Sequence, residues 1–369
     1  MSFLHQKNYF CQLTGLRAIA AYVVFLTHIM PNKDVTKNNF IENICGIGYL
    51  GVSIFFVLSG FLICYRYIDD FQLTINWFKT YMVNRIARIY PMYFILTIAT
   101  FAYNHYFHIF KLDPIILFTN LTFLRGYFDD FLFTGISQGW SLTVEETFYV
   151  LAPLLFLGIN HKNRLIYLSG LFISFGILLV FLFQNLNFYH FMGNLNFMFN
   201  YTFFGRCIEF FIGIKLAINF KNNFFKKTGS NYTVFGLSAM ISVILLLTLF
   251  KGYLELNYFS KGVILILNNF LFPLSVYYFL LGLLVEKTII SNFLSTKVMV
   301  VLGKSSYVFY LIHIGFISYF LTRYFQLNTI TLFILLNVIS VGLYYFIEHP
   351  LNILIRKFNV QSPKTEISI

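Results

Sequence analysis

Apolar runs close to the length of a bilayer-crossing helix, about 20 residues, recur along the whole chain, and this limits its folds more than any single motif. Ten can be drawn, at 13–30, 46–65, 89–108, 142–158, 165–184, 201–220, 232–250, 262–284, 301–322 and 330–348. Of the 369 residues, 58% are hydrophobic, 11% are charged and 49 are Phe, whereas a soluble domain is about half apolar and about a quarter charged. Outer-membrane barrels read as short alternating segments, and these runs are too long and continuous for that. The expected fold is an all-α, polytopic transmembrane bundle of about ten spans, forming one domain over 1–369. The formal net charge of +12 is set by topology rather than by nucleic acid. Eighteen of the 26 basic residues fall on the side of the N-terminus, among them Lys7, Arg17, Arg66, Arg85, Arg88, Lys304 and Arg356. The positive-inside rule then puts both termini in the cytoplasm.

The start is polar and no small-residue cleavage site follows the first run, so that run is expected to stay as a signal anchor. Only a short tail follows Pro350, so no soluble domain is expected there and the chemistry should lie in the membrane unit. The four cysteines, Cys11, Cys45, Cys64 and Cys207, form no Cys-x-x-Cys pair and read as packing residues. The connector from Phe110 to Trp140 contains an apolar stretch, Ile115–Leu124, too short to span and expected to be re-entrant or interfacial.

The first run carries two ionisable side chains, Arg17 and His28, eleven residues apart. At about 100° per residue they share one helical face, and at about 1.5 Å per residue they stand roughly 16 Å apart along the axis. An arginine in a membrane span is costly and is read first as functional. The pair suggests one elongated ligand, with its anionic end at Arg17 and its reactive end at His28. A neutral imidazole there accepts a hydroxyl proton or attacks an activated carbonyl; burial would favour that neutral form. A lone histidine is more often just hydrogen-bonded to a neighbouring helix, and the shared face with Arg17 favours function.

Arg85-Ile-Ala-Arg88 points two guanidiniums the same way on a helix. The pair reads equally as a bidentate phosphate grip or as positive-inside anchoring. Trp140-Ser-Leu-Thr-Val-Glu-Glu-Thr-Phe-Tyr149 opens the fourth run with two adjacent carboxylates. Glu145 and Glu146 diverge by about 100°, so one of them faces the centre, where it would orient His28; helix capping is the plainer use. In the second run Gly48, Gly51, Ser59 and Gly60 permit close approach of a helix or ligand. His313 and Glu348 are further polar groups in or beside spans. Arg206 and Glu209 read as an intramembrane ion pair. His105 and His108 lack a nearby Cys or carboxylate, so no metal is expected. His28 to Asp34 is one residue too long for the His-x4-Asp signature of soluble glycerolipid acyltransferases.

Taken in order, Thr14-Gly-Leu-Arg17, Arg17-x10-His28, Phe55-Phe-Val-Leu-Ser-Gly-Phe61, Arg85-x-x-Arg88, Trp140-Ser-Leu-x-Val-Glu145-x-x-Phe-Tyr149, the Gly303-Lys-Ser-Ser-Tyr to His313 segment and Glu348-His-Pro350 resemble the membrane acyltransferase 3 family across nearly the whole chain. Ser53 departs from the Asp that the family often has, and no C-terminal hydrolase-like domain of the kind many members carry is expected after Pro350. The resemblance implies an integral-membrane O-acyltransferase in a bacterial cytoplasmic (inner) membrane. Its donor would be a cytosolic acyl-coenzyme A, usually acetyl-CoA. Its acceptor would be a carbohydrate hydroxyl, free or lipid-linked, on lipopolysaccharide O-antigen, capsule, exopolysaccharide or a small glycoside. It also implies membrane lipids as surroundings, and neither a metal nor nucleic acid. Arg17, Arg85 and Arg88 would bind the donor phosphates. His28 would act as general base oriented by Glu145, or as a nucleophile in a covalent variant. Ser59, Gly60, Trp140, Ser141, Glu146, His313 and Glu348 would support them.

A transporter or flippase is the main rival reading, since it too places charge midway through helices. It would also show repeats and matching broken spans, which are not evident. A structural partner in an envelope assembly would explain neither the Arg17–His28 spacing nor the Arg85–Arg88 pair.

Overall fold

The computed structural model describes residues 9–29, 40–107, 109, 113–157, 159, 163–186, 188–224, 231–252 and 257–360. Lys7, Lys33, Asp34, Lys37, His108, Lys111, Lys162, Lys226, Lys227 and Lys364 lie outside them. In chain order the helices are α1 (Cys11–Ile29), α2 (Phe40–Cys45), α3 (Gly51–Tyr67), α4 (Ile75–Tyr106), α5 (Pro114–Leu121), α6 (Trp140–Phe156), α7 (Arg164–Phe183), α8 (Leu195–Tyr201) and α9 (Phe203–Lys221). They continue as α10 (Tyr232–Gly252), α11 (Tyr258–Ile266), α12 (Phe272–Val285), α13 (Ile289–Leu294), α14 (Lys297–Ile312), α15 (Phe316–Phe325), α16 (Thr329–Leu343) and α17 (His349–Val360). Among the described residues no β-strand forms; one antiparallel bridge joins Phe128 to Phe191.

The chain is thus an all-α bundle. Among the described residues, seven helices are long and apolar enough to cross a membrane, or up to eight if the bent α14–α15 pair is one span. The other two expected runs also form helices. However, α6 is short at 17 residues, and α9 carries Arg206, Glu209 and Lys215 with most of its side chains buried. These two helices meet protein more than lipid, so their sequences need not be as apolar.

Small residues bring the central helices together. A Cβ at Gly60 of α3 would land on the Phe210 backbone of α9, and one at Gly303 of α14 on the Thr14 backbone of α1. Gly60 is therefore a packing residue, turned toward α9. Dispersion at such close approaches replaces the hydrophobic effect, which is weak between helices in lipid.

Three elements depart from the expected spans. First, α4 starts at Ile75 rather than near 89, so the Arg85–Arg88 pair lies within a helix. Thr74 caps that helix, accepting from Trp77 N at 3.3 Å, and Trp77 stacks on Tyr81 at 5.2 Å. Second, the 301–322 run breaks by 81° between α14 and α15. Gly315 sits there at φ +107°, a conformation that favours glycine. The carbonyls of Tyr310 and Leu311, freed by the break, each accept from Gln138 Nε2 at 2.7 Å, which is how a broken helix persists at membrane depth. Third, the last run continues without a break through a π-helical turn, Tyr344–Glu348, and Pro350 into α17.

The 114–139 connector is short helix and turn, docked on α4 where Tyr93 donates to Asn120 O at 2.9 Å. Its hub is Arg125, fully buried, which donates to Asn120 Oδ1 at 2.9 Å and to the carbonyls of Thr134 and Ile136. Burial pulls its guanidinium pKa below the ordinary value.

Candidate active site

Along α1 the bundle opens into three cavities that share walls. The basic cavity, about 1370 Å³, lies where α1 begins and is lined by Arg17, Arg66, Arg85, Arg88, Lys304 and Arg356, with Tyr9, Tyr65, Tyr344, Glu348 and Asn352. The central cavity, about 730 Å³, shares Arg17, Leu62, Arg85 and Arg88 with it and adds Ser59, Ser141, Glu145, Tyr149, Tyr307 and Tyr310. The aromatic cavity, about 970 Å³, lies where α1 ends. It shares Val52 and Tyr310 with the central one, and is lined by His28, Tyr49, Trp140 and Tyr201 with Ser137, Gln138, Asn200, Asn268, Arg206 and Lys251.

The positive charge of the basic cavity has unused donors. Among the described residues, Nε of Arg17, Arg85 and Arg356 is buried without a hydrogen-bond partner. Buried donors are nearly always paired, so such orphans mark a place for an acceptor-rich ligand. Arg85 is itself buried; its Nη2 donates to the Tyr67 hydroxyl at 3.0 Å, and its guanidinium lies over the Tyr67 and Tyr149 rings at 5.3 and 5.8 Å. Glu348 is the acidic counterpart in this cavity. It is mostly buried, and its Oε2 also lacks a partner.

Of the two adjacent carboxylates, Glu145 lines the central cavity and Glu146 lines none of the three. Glu145 Oε1 accepts from both the Ser59 and Tyr149 hydroxyls. The expected Glu145–His28 contact is therefore not what the geometry displays: the carboxylate faces the central cavity and the imidazole the aromatic one. Ser141 meets the Tyr310 hydroxyl at 2.8 Å, on the wall between those two cavities. Trp140 packs edge-on against Tyr201 at 5.0 Å, making an aromatic wall.

His28 stands in the last turn of α1, exposed to the aromatic cavity rather than buried. Its ring neighbour is His313, with ring centroids 5.5 Å apart. His313 is buried beside the α14–α15 break, its Nδ1 2.7 Å from Tyr310 O. Arg206 and Glu209 form the expected ion pair at 2.8 Å, and Ser53 joins it, at 3.0 Å from Arg206 Nη2 and 3.1 Å from Glu209 Oε1.

Several lining residues carried no signal in the sequence. Asn268 reaches the aromatic cavity from a π-helical turn, Leu267–Leu271, and accepts from the Tyr49 hydroxyl at 2.9 Å. Tyr344 reaches the basic cavity from a second π-helical turn, Tyr344–Glu348, beside the Glu348 already singled out in the sequence. π-turns are rare and recur at functional sites, but the extra residue in the turn leaves no mark in composition. Lys251 reaches across from α10 to Tyr49, 2.6 Å from its hydroxyl and 4.2 Å from its ring centre.

A family model described as an acyltransferase domain matches residues 12–349. This chain belongs to the acyltransferase 3 family. Among curated proteins, a Staphylococcus aureus (strain COL) protein named "Putative O-acetyltransferase" is 26% identical over 374 residues, covering 94% of this chain and 58% of the relative. O-acetyltransferase OatA of Staphylococcus aureus (strain NCTC 8325 / PS 47) is 25% identical over 390 residues, with the same coverage. The chain thus spans little more than half the length of these relatives. No solved structure matches it. Among the described residues no group of three or more His, Cys, Asp or Glu side chains is arranged to hold a metal ion.

Proposed function

We propose that this acyltransferase 3 chain is an acyl-CoA-dependent O-acetyltransferase of a bacterial cytoplasmic membrane, acting on a sugar hydroxyl of a surface glycan. The single observation that carries this reading is the pairing of Arg17 and His28 on one face of α1, opening onto joined cavities of opposite character. The basic cavity suits the phosphates of coenzyme A, because guanidiniums bind phosphate oxygens through charge-assisted, bidentate hydrogen bonds. Arg17, Arg85 and Arg88 hold them, and Arg66, Lys304 and Arg356 add charge. The central cavity takes the pantetheine arm. The aromatic cavity, with rings beside amide and hydroxyl groups, suits a sugar; the acceptor is a carbohydrate of the lipopolysaccharide, capsule or exopolysaccharide kind.

In the reaction the acceptor oxygen attacks the thioester carbonyl carbon while a His28 nitrogen takes the hydroxyl proton. The C–S bond then breaks, the ester forms, and the departing thiolate receives that proton. Glu145, held by Ser59 and Tyr149, acts on the path of the acyl arm rather than on the imidazole. Trp140 and Ser141 shape the wall between donor arm and acceptor, and Glu348 sets the depth to which the donor anion enters the basic cavity.

The test is transfer of radiolabelled acetyl from acetyl-CoA to polysaccharide in membranes carrying the wild-type chain or His28→Ala at matched protein level. Label in polysaccharide with the wild type, falling about 10²- to 10⁴-fold with His28→Ala, supports the reading. Passage of a solute or lipid-linked glycan without thioester turnover would favour a transporter instead.

A further inference from the structure

His313 is a buried titratable group that the reaction above does not use. Its surroundings fix its chemistry. Tyr310 O, 2.7 Å from Nδ1, is a carbonyl and only accepts, so Nδ1 carries the proton and Nε2 is left with a lone pair. That Nε2 is buried and has no hydrogen-bond partner. Phe309 stacks on the ring, with centroids 6.1 Å apart and planes at 4°, and Phe25 meets its edge at 6.3 Å. Gln138 holds the Tyr310 and Leu311 carbonyls beside it. The imidazole is therefore clamped, in one tautomer, with an unsatisfied acceptor. Its neighbour is the exposed, adjustable ring of His28 at 5.5 Å.

We infer that His313 is the positioning residue for His28: its Nε2 lone pair accepts the N–H of the His28 ring, so that the other His28 nitrogen faces the acceptor hydroxyl. The centroid separation is about one hydrogen bond plus two ring radii, so a side-chain rotation of His28 completes the contact. An orienting acceptor fixes which nitrogen is the base and shares the positive charge once the proton is taken. A carboxylate commonly fills this place; here Glu145 faces the central cavity, and a neutral imidazole stands beside His28. During turnover the hydroxyl proton moves to the free His28 nitrogen and on to the leaving thiolate, while the proton shared with His313 stays on His28. His313 thus neither gains nor loses a proton overall. This inference rests on the acyltransfer reading above.

The test uses the full chain in native membranes, with acetyl-CoA as donor and purified surface polysaccharide as acceptor. His313→Asn keeps a donor where Nδ1 caps Tyr310 O but offers nothing at the Nε2 position. His313→Gln places an amide oxygen there. The expected result is a fall in kcat of about 10-fold or more for His313→Asn, up to about the 10⁴-fold loss seen when the orienting acceptor of a general-base histidine is removed, with KM for donor and acceptor unchanged. His313→Gln should recover part of that loss. In a His28→Ala background, adding His313→Asn should leave the residual rate unchanged, because the two residues act as one unit. Wild-type kcat in His313→Asn, or equal further losses with and without His28, would overturn the inference and leave His313 as a cap for the helix break. Absence of acetyl transfer by the wild type would overturn the underlying reading and this inference with it.

Discussion

A helix fixes the angle and rise between residues on itself, so Arg17 and His28 share one face of α1 at a set separation. Their cavities follow from that one element. Because His28 is exposed at the end of α1, His28→Ala should lower kcat by about 10²- to 10⁴-fold, the range for a general base, while leaving the melting temperature in detergent unchanged. Arg17 should not tolerate lysine, which is a point charge without the guanidinium fork; Arg17→Lys should raise the KM for acetyl-CoA about 10-fold or more, the effect of about 1.4 kcal/mol at a charge-assisted contact. The partner of His28 was not legible. Glu145 and His313 lie on other elements, and which one meets α1 depends on how α14 ends. The sequence signals an acid in α6 and a histidine near 313, and gives no distance between them. Arg125 belongs to no motif in the sequence, and its place at the buried centre of a connector appears only in the structure.

The elements themselves follow from apolar length and from glycine at the close crossings. Expected and observed helices overlap throughout, and differences arise where a polar group relieves the backbone. The α14–α15 break depends on Gly315 and on Gln138, a residue in a different connector. Hydropathy sees one continuous run there, because the carbonyls freed at the break are satisfied from outside it. The π-turns at Leu267–Leu271 and Tyr344–Glu348 are hidden because one extra residue in a helical turn leaves no mark in hydropathy. A paired substitution checks the packing at this scale. Gly60→Ala puts a methyl against the Phe210 backbone and should destabilise by about 1–3 kcal/mol. Gly342→Ala in α16 meets nothing within 4 Å and should be neutral or stabilise by up to about 1 kcal/mol through helix propensity. Thermal unfolding of both variants in detergent checks the contrast; equal losses would mean that the α3–α9 crossing is looser than described.

At the scale of the whole molecule, composition alone selected the all-α membrane class, and basic residues gathered on one side of the expected topology. What composition cannot convey is that six of those cations converge on one cavity, which adjoins the central cavity, which in turn shares Tyr310 and Val52 with an aromatic one. In the proposed function this concentration of charge holds the donor, so donor binding should be sensitive to ionic strength. KM for acetyl-CoA should rise with added salt in the wild type, and rise less steeply in Arg88→Gln or Arg356→Gln. A KM independent of salt would place the donor elsewhere. The central claim is that donor and acceptor enter from opposite ends of α1 and meet near His28. The most direct measurement places labelled acetyl-CoA outside sealed, inside-out vesicles, with the polysaccharide acceptor trapped within. Label should appear on the trapped acceptor with the wild-type chain and disappear with His28→Ala. Transfer only when donor and acceptor share one side of the membrane, or transfer undiminished by His28→Ala, would contradict it.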